Sequence, residues 1–213
     1  MPSNDMETKA SIIALTGGIG SGKSVIARLL RVMGYTVYDC DDRAKHVMTD
    51  DPLLRQQLIQ LFGPEAYIDA AEQGQPLQLN RTYLSARIFG DASLLSAMNA
   101  CVHPAVARDL MAQYNERQDS GKPFFFESAI LFESGFDRLV PPDQVWTVSA
   151  PLELRIARAM KRDDAPRAKV QARIESQMPQ AVKEQRADAV ILNDERHSVI
   201  QQVQQLLNPI NNI

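Results

Sequence analysis

The chain is poor in cysteine, tryptophan and histidine, and it has neither a long apolar run nor a strong charge of one sign. Its 213 residues include 2 Cys, 1 Trp and 3 His. Cys40 and Cys101 lie far apart and form no metal-ligand or redox spacing, which excludes a zinc module and a disulfide scaffold. Both read as reduced thiols of a cytoplasmic protein. A net charge of −3 excludes the basic surface of a general nucleic-acid binder. No apolar stretch approaches the ~20 residues of a membrane helix, so neither nucleic acid nor membrane is expected as a partner. The opening residues, Met1 to Lys9, are polar and lack the apolar core of a secretion signal; residues 1–10 are expected to form a flexible leader. Internal repeats and low-complexity linkers are absent, and no heptad pattern points to an oligomeric state.

The composition itself is that of an ordinary globular protein, 45% hydrophobic and 23% charged. The length suffices for one core with small appended parts, read as a single domain over residues 1–213. The most informative stretch is Gly17-Gly18-Ile19-Gly20-Ser21-Gly22-Lys23-Ser24, which fits the phosphate-binding loop Gly-x4-Gly-Lys-Ser/Thr. Its context is the required one, a short apolar strand before it (Ile12 to Thr16) and a helical pattern after it (Val25 to Met33). Glycines let the backbone wrap a phosphate without Cβ clashes, and the exposed N–H groups at the helix start face the anion. Gly18 through Ser24 are therefore assigned to a nucleotide triphosphate, ATP if the chain is a kinase. Lys23 would reach the terminal phosphates and the Ser24 hydroxyl would ligate Mg²⁺.

Apolar strand-like runs alternate with helical patterns, the mark of a parallel α/β sheet. The candidate strands are Ile12–Thr16, Thr36–Asp39, Phe124–Glu127, Gln144–Ser149 and Ala189–Leu192. Residues 43–122 read mostly as helix, with apolar faces at Leu54, Leu58, Leu61 and Phe62, then at Leu84, Ile88, Leu94, Leu95 and Met98. That stretch is too long for a simple crossover. It is expected to be an inserted helical subdomain over the carboxyl ends of the strands, where open α/β sheets bind ligands. Residues 152–180 carry Arg155, Arg158, Lys161, Arg162, Arg167, Lys169 and Arg173 around the break Asp163-Asp164-Ala165-Pro166. In an acidic chain this local basic cluster suits a helical lid over a nucleotide, against the alternative of a solvated helix hairpin. A final helix at Val199, Ile200, Val203, Leu206 and Leu207 is a packing element.

A phosphate loop binds a nucleotide without specifying the reaction; kinases, GTP switches and motor ATPases share it. Asp39 and Asp41 flank Cys40 at the end of the second strand. Asp39 either orients an acceptor hydroxyl and takes its proton or caps a helix beginning near Asp42. Asp41 is a second carboxylate beside it, placed to position the acceptor or a metal-bound water. Glu127 closes the third strand, where it either holds a Mg²⁺ water or caps a turn. His103 precedes Pro104 in the insertion and is either a structural hydrogen-bonding residue or part of the acceptor side. The Asn-Lys-x-Asp segment by which GTP switches select guanine is missing.

Together these residues resemble the dephospho-coenzyme A kinases over nearly the whole chain, from Ile12 to Leu207. The loop Ala14 to Ser24 has that family's form. Val37-Tyr38-Asp39-Cys40-Asp41 is similar to its Asp-Ala-Asp segment with Cys40 for Ala. Asn80-Arg81, Ile88-Phe89 and Met98 through Pro104 resemble its acceptor-side insertion; Arg158 through Asp163 resembles its lid, and Ala187 through Asn193 its last strand. One departure stands out: the family's Asp-x-Pro-Leu-Leu-Phe-Glu is Glu127-Ser128-Ala129-Ile130-Leu131-Phe132-Glu133 here. A longer carboxylate replaces Asp and Ala129 loosens the turn, which bears on metal geometry. The resemblance implies a three-layer phosphate-loop kinase fold, a five-stranded parallel sheet flanked by helices, with an acceptor-binding insertion and a lid. It implies transfer of the ATP γ-phosphoryl to the ribose 3′-hydroxyl of dephospho-coenzyme A, with Asp39 and Lys23 catalytic and Mg²⁺ required. Arg158 and Arg162 would close over the triphosphate. Asp41, Lys45, Arg81 and His103 would face the acceptor. A nucleoside or nucleoside-monophosphate kinase of the same fold is the alternative.

Overall fold

A computed structural model describes residues 9–68 and 77–210. The strands are β1 (Ile12–Thr16), β2 (Thr36–Asp39), β3 (Tyr67–Ile68), β4 (Gln78–Leu79), β5 (Phe124–Glu127), β6 (Gln144–Ser149) and β7 (Ala189–Leu192). The helices are α1 (Lys23–Val32), α2 (Cys40–Asp50), α3 (Pro52–Phe62), α4 (Arg81–Ile88), α5 (Ala92–Asn115), α6 (Phe136–Leu139), α7 (Leu152–Asp163), α8 (Arg167–Glu175), α9 (Gln180–Arg186) and α10 (Val199–Leu207). Five strands form one parallel sheet in the order β2-β5-β1-β6-β7. All five lie at the boundaries the apolar runs indicate.

Both sheet faces are buried, which is why these strands read as continuous apolar runs and not as alternations. On one face Ile13, Leu15, Phe125, Trp146 and Val148 pack with Ile26, Ala27 and Leu30 of α1 and Val203 and Leu207 of α10. Phe125 meets Tyr35 and Trp146 edge-on, at centroid distances of 5.6 and 5.3 Å. Its neighbours point the other way: Phe124 meets Tyr114 at 5.8 Å and Phe126 meets Phe136 at 5.9 Å. Helices therefore flank the sheet on both sides. Parallel strands joined through helices place all their carboxyl ends at one edge, and the loops there can share a ligand.

The described residues divide into two compact units, one running to Asp39 and resuming at Gln113, the other Cys40–Ala112. The second corresponds to the helical stretch expected over residues 43–122, with two differences. It contains the short antiparallel ladder β3-β4, and residues 113–122 belong with the sheet. Within it, Leu54, Leu58, Phe62 and Leu84 are buried, whereas Leu95 of the expected apolar face is 43% exposed. Asp51 caps α3 by accepting from the Leu53 and Leu54 N–H groups. Residues 1–8 of the expected leader lie outside the described residues; Ala10 is buried, with its N–H on Gln118 and its carbonyl on the Tyr114 hydroxyl. Ile200 of the last helix is 51% exposed, so only Val203 and Leu207 anchor it fully. Among the described residues no helix is long and apolar enough to cross a membrane.

Candidate active site

The loop after β1 turns into α1 at Gly22, which stands at φ 92°, ψ 21° in the left-handed region where side chains are strained. Gly20 is another position that only glycine fills: φ is 76°, and a Cβ there would collide with the Arg155 carbonyl oxygen. The first turn of α1 has no side-chain cap and no acidic residue. Its N–H groups at Lys23 and Ser24 have no helical carbonyl before them, so the helix start is left for an anion. Ser21 Oγ is buried without a partner inside the same loop. Ser24 is exposed in the first turn.

The sheet order does the next piece of assembly. β5 lies between β1 and β2, with Glu127 registered against Leu15 on one side and Asp39 on the other. Opposite residues of parallel strands face the same way, so the two carboxyls meet and hydrogen-bond. Lys23 Nζ donates to Glu127 Oε2 at 2.9 Å, from a side chain 14% exposed to one 4% exposed. Burial pushes the Glu127 carboxyl above the ordinary range, the Lys23 ammonium pulls it back, and Asp39 raises it again. Lys23, Asp39 and Glu127 thus form one cluster around the buried Glu127 carboxyl at the mouth of the loop. Asp39 is followed at once by α2, which begins at Cys40 and not near Asp42.

The basic segment touches this loop in ways the sequence left unread. Arg155 is buried on the apolar side of α7 beside Ile156 and Ala159, and its Nε donates to the Ile19 carbonyl at 2.9 Å. Gln177 Oε1 accepts from the Ile19 N–H at 2.8 Å, so that amide is already engaged. Asn193 Nδ2 donates to the Ser21 carbonyl at 2.9 Å, and Arg158 Nη1 donates to the Asn193 carbonyl at 2.9 Å. Arg158 also reaches Glu195 at 3.3 Å. Arg162 is turned to its neighbour Asp163, with contacts of 2.7 and 3.0 Å. A charge on the buried stripe of α7 is the one sequence signal that could have singled out Arg155. Asn193 stands only as the end of the last strand in the family resemblance, and Gln177 carries no signal.

Glu133 accepts from the Met178 N–H and pairs with Lys183, a lysine with no exposed surface, at 2.7 Å. Lys183 also donates to the Ala129 carbonyl at 2.7 Å, which holds the turn where the family's proline is missing. The four residues expected on the acceptor side lie in the second unit. Asp41 is exposed in the first turn of α2, Lys45 pairs with Asp42 at 3.4 Å, and Arg81 is exposed at the start of α4. His103 is half-buried in α5, and burial lowers its pKa.

A parallel sheet with a phosphate loop after its first strand, a lysine–carboxylate cluster and a basic helix pair define a phosphate-loop kinase. The fold is shared with shikimate kinase from Acinetobacter baumannii, with a TM-score of 0.53 at 15% identity over 99% of this chain and 98% of its own. The family model for dephospho-CoA kinase (CoaE) matches residues 11–198, and the chain belongs to that family. The dephospho-CoA kinase of Bacteroides fragilis is 40% identical over 195 residues, covering 92% of this chain and 90% of its own. That of Porphyromonas gingivalis is 39% identical over 199 residues, 93% of each chain. Among structures, a Thermus thermophilus protein matches with a TM-score of 0.78 at 35% identity, over 93% of this chain and 96% of its own. The dephospho-CoA kinase of Campylobacter jejuni shares the fold, with a TM-score of 0.67 at 22% identity over 94% and 97%.

Proposed function

We propose that this chain transfers the γ-phosphoryl group of ATP to the ribose 3′-hydroxyl of dephospho-coenzyme A, with Asp39 as the base. One observation supports the assignment above others: the Asp39 carboxyl is held against Glu127, which in turn holds Lys23 at 2.9 Å beside the phosphate loop. Phosphoryl transfer asks little covalent chemistry of a protein and much positioning. The loop amides from Gly20 to Ser24 and the Lys23 ammonium receive the β- and γ-phosphates. Asp39 orients the acceptor hydroxyl and takes its proton as the oxygen attacks. Arg158 closes one side of the site, and Arg162 joins it by leaving Asp163 for the triphosphate. Excluding water there favours transfer over hydrolysis. Asp41, Lys45, Arg81 and His103 supply the acceptor side.

The residues also fit a divalent cation that arrives with the nucleotide. Among the described residues no group of three or more His, Cys, Asp or Glu forms a protein cage, and the exposed Ser24 hydroxyl beside Lys23 is the kind of single ligand Mg²⁺ takes alongside phosphate oxygens and waters. When bound, Mg²⁺ neutralises charge on those oxygens. The Glu127 carboxyl, already tied to Lys23 and Asp39, would act on it only through water.

The test is to mix the protein with Mg²⁺-ATP and dephospho-coenzyme A and follow products by mass. Equal amounts of coenzyme A and ADP are expected, abolished by a chelator and restored by excess Mg²⁺. ADP formed only with a nucleoside or nucleoside monophosphate acceptor would refute the assignment.

A further inference from the structure

Ile19 is attached to the basic helix pair by every part it has. Its N–H donates to Gln177 Oε1 at 2.8 Å, and its carbonyl accepts from Arg155 Nε at 2.9 Å. Its side chain packs on the cluster of Ile156 and Ala159 from α7 with Val170 from α8. Arg155, only 5% exposed, also fills the space beside Gly18, where a Cβ would collide with its guanidinium. Gln180 behaves differently. Its Oε1 accepts from Gly18 and its Nε2 donates to the Val148 carbonyl, both at 3.4 Å, so it joins the loop to β6 of the sheet. Gln177 follows the end of α8, where its own N–H donates to the Ile174 carbonyl at 3.1 Å. It therefore links α8 directly to Ile19.

We infer that Gln177 is a positioning residue for phosphoryl transfer, coupling the state of the phosphate loop to the helices that carry Arg158 and Arg162. The inference rests on reading the loop as the ATP site. A phosphate held by the loop amides from Gly20 onward fixes the backbone next to Ile19. A fixed Ile19 gives Gln177 a rigid donor to accept from and gives Val170 a rigid surface to pack on. The helix pair then has one preferred placement over the nucleotide. A ligand shifts a conformational equilibrium only through contacts that differ between the two states, and on the α8 side the contacts with the loop, the Gln177 hydrogen bond and the Val170 packing, meet at Ile19. The lid of this protein is thus joined to the loop at its base and does not swing independently of it.

Hydrogen exchange in the full-length protein tests the coupling, with and without saturating Mg²⁺-ADP. Loop residues 18–24 report nucleotide binding and α8 reports the lid. In the wild type ADP should slow exchange in both. In Gln177→Ala the loop should still be protected while most of the ADP-dependent slowing in α8 disappears. Gln177→Glu keeps an oxygen that accepts the same N–H and should restore it. In steady state Gln177→Ala should raise KM for ATP roughly fivefold, the worth of one hydrogen bond, with KM for the acceptor changed less than twofold. Undiminished slowing of α8 in Gln177→Ala, or equal loss in Gln177→Glu, would overturn the coupling. A wild-type loop that ADP does not protect would instead remove the ATP site on which it rests.

Discussion

Lys23 has two partners to serve. Its ammonium sits on Glu127 at 2.9 Å, and a bound triphosphate offers it a denser negative charge on its other side. Glu127 anchors the lysine at the loop mouth, so less side-chain entropy is lost when phosphate arrives. The same carboxyl faces Asp39 and holds it in place, the position from which the proposed base would act. Asp39→Asn keeps the shape and removes the base, so ATP binding should persist while kcat falls by about 10²–10⁴; near-normal turnover would show that another group takes the proton. Lys23→Ala should lower kcat/KM by about 10²–10³, since a preorganised charge is lost from the transition state, and should weaken nucleotide binding with it. An unchanged rate would remove the loop from the mechanism.

At the scale of elements, the hinge between α7 and α8 is stitched by Asp163. It accepts from Arg162 at 2.7 Å and from Arg173 at 2.7 Å, while Arg167 and Glu153 form a second clasp at 2.7 Å. The hydrogen bonds from Arg162 and Arg173 hold the Asp163 carboxyl well below its ordinary value of 3.8. A depressed acid contributes stability above its unfolded pKa and loses it as pH falls through the folded one. The clasp is therefore intact at every pH above about 4 and opens only in stronger acid. Because Asp163 is at the surface, its effect is local and screened. Asp163→Asn should quicken amide exchange around Asp164 to Val170 at low ionic strength, with the difference fading in about 1 M salt. No difference at low salt would mean that Pro166 and the packing of Val170 alone hold the hinge. The variant should also free Arg162 from its ion pair with Asp163.

For the molecule as a whole, stability and function share one sheet. The carboxyl ends of β1, β2 and β5 carry the loop, Asp39 and Glu127, and the same strands bury Ile13, Val37 and Phe125 in the core. Trp146 has no exposed surface, with Phe125 on one side and α10 packed over the same face. Trp146→Ala should cost about 3–5 kcal/mol in denaturant unfolding, enough to threaten a domain of ordinary stability. A loss under about 1 kcal/mol would show that the core repacks around the gap. Nucleotide should act in the opposite sense. A ligand that binds only the folded state adds about 2.7 kcal/mol at one hundred times its Kd, so Mg²⁺-ADP should raise Tm in wild type and in Asp39→Asn, and much less in Lys23→Ala. A rise of equal size in all three would place the nucleotide away from Lys23.

Five strand boundaries, the phosphate loop and the helix–break–helix at Asp164 were legible in the sequence because each is set locally. A strand buried on both faces needs an unbroken apolar run, a loop around a phosphate needs glycine at Gly20 and Gly22, and the Asp164-Ala165-Pro166 break stops α7 at a left-handed Asp164 and starts α8 after Pro166. Family membership was legible for the same reason, since it rests on several such local patterns in order. The partners were not. Glu127 lies 104 residues from Lys23 and Gln177 158 from Ile19, and only the packing of the folded chain decides that these groups meet. Burial was half legible: periodicity marked Ile200 and Leu95 as apolar, but whether a neighbour covers them depends on how much surface the adjoining elements offer. Arg155 and Lys183 are the reverse case, charges that a one-dimensional reading sends to solvent. The fold buries them because a carbonyl of Ile19 and a carboxylate of Glu133 wait there to compensate them.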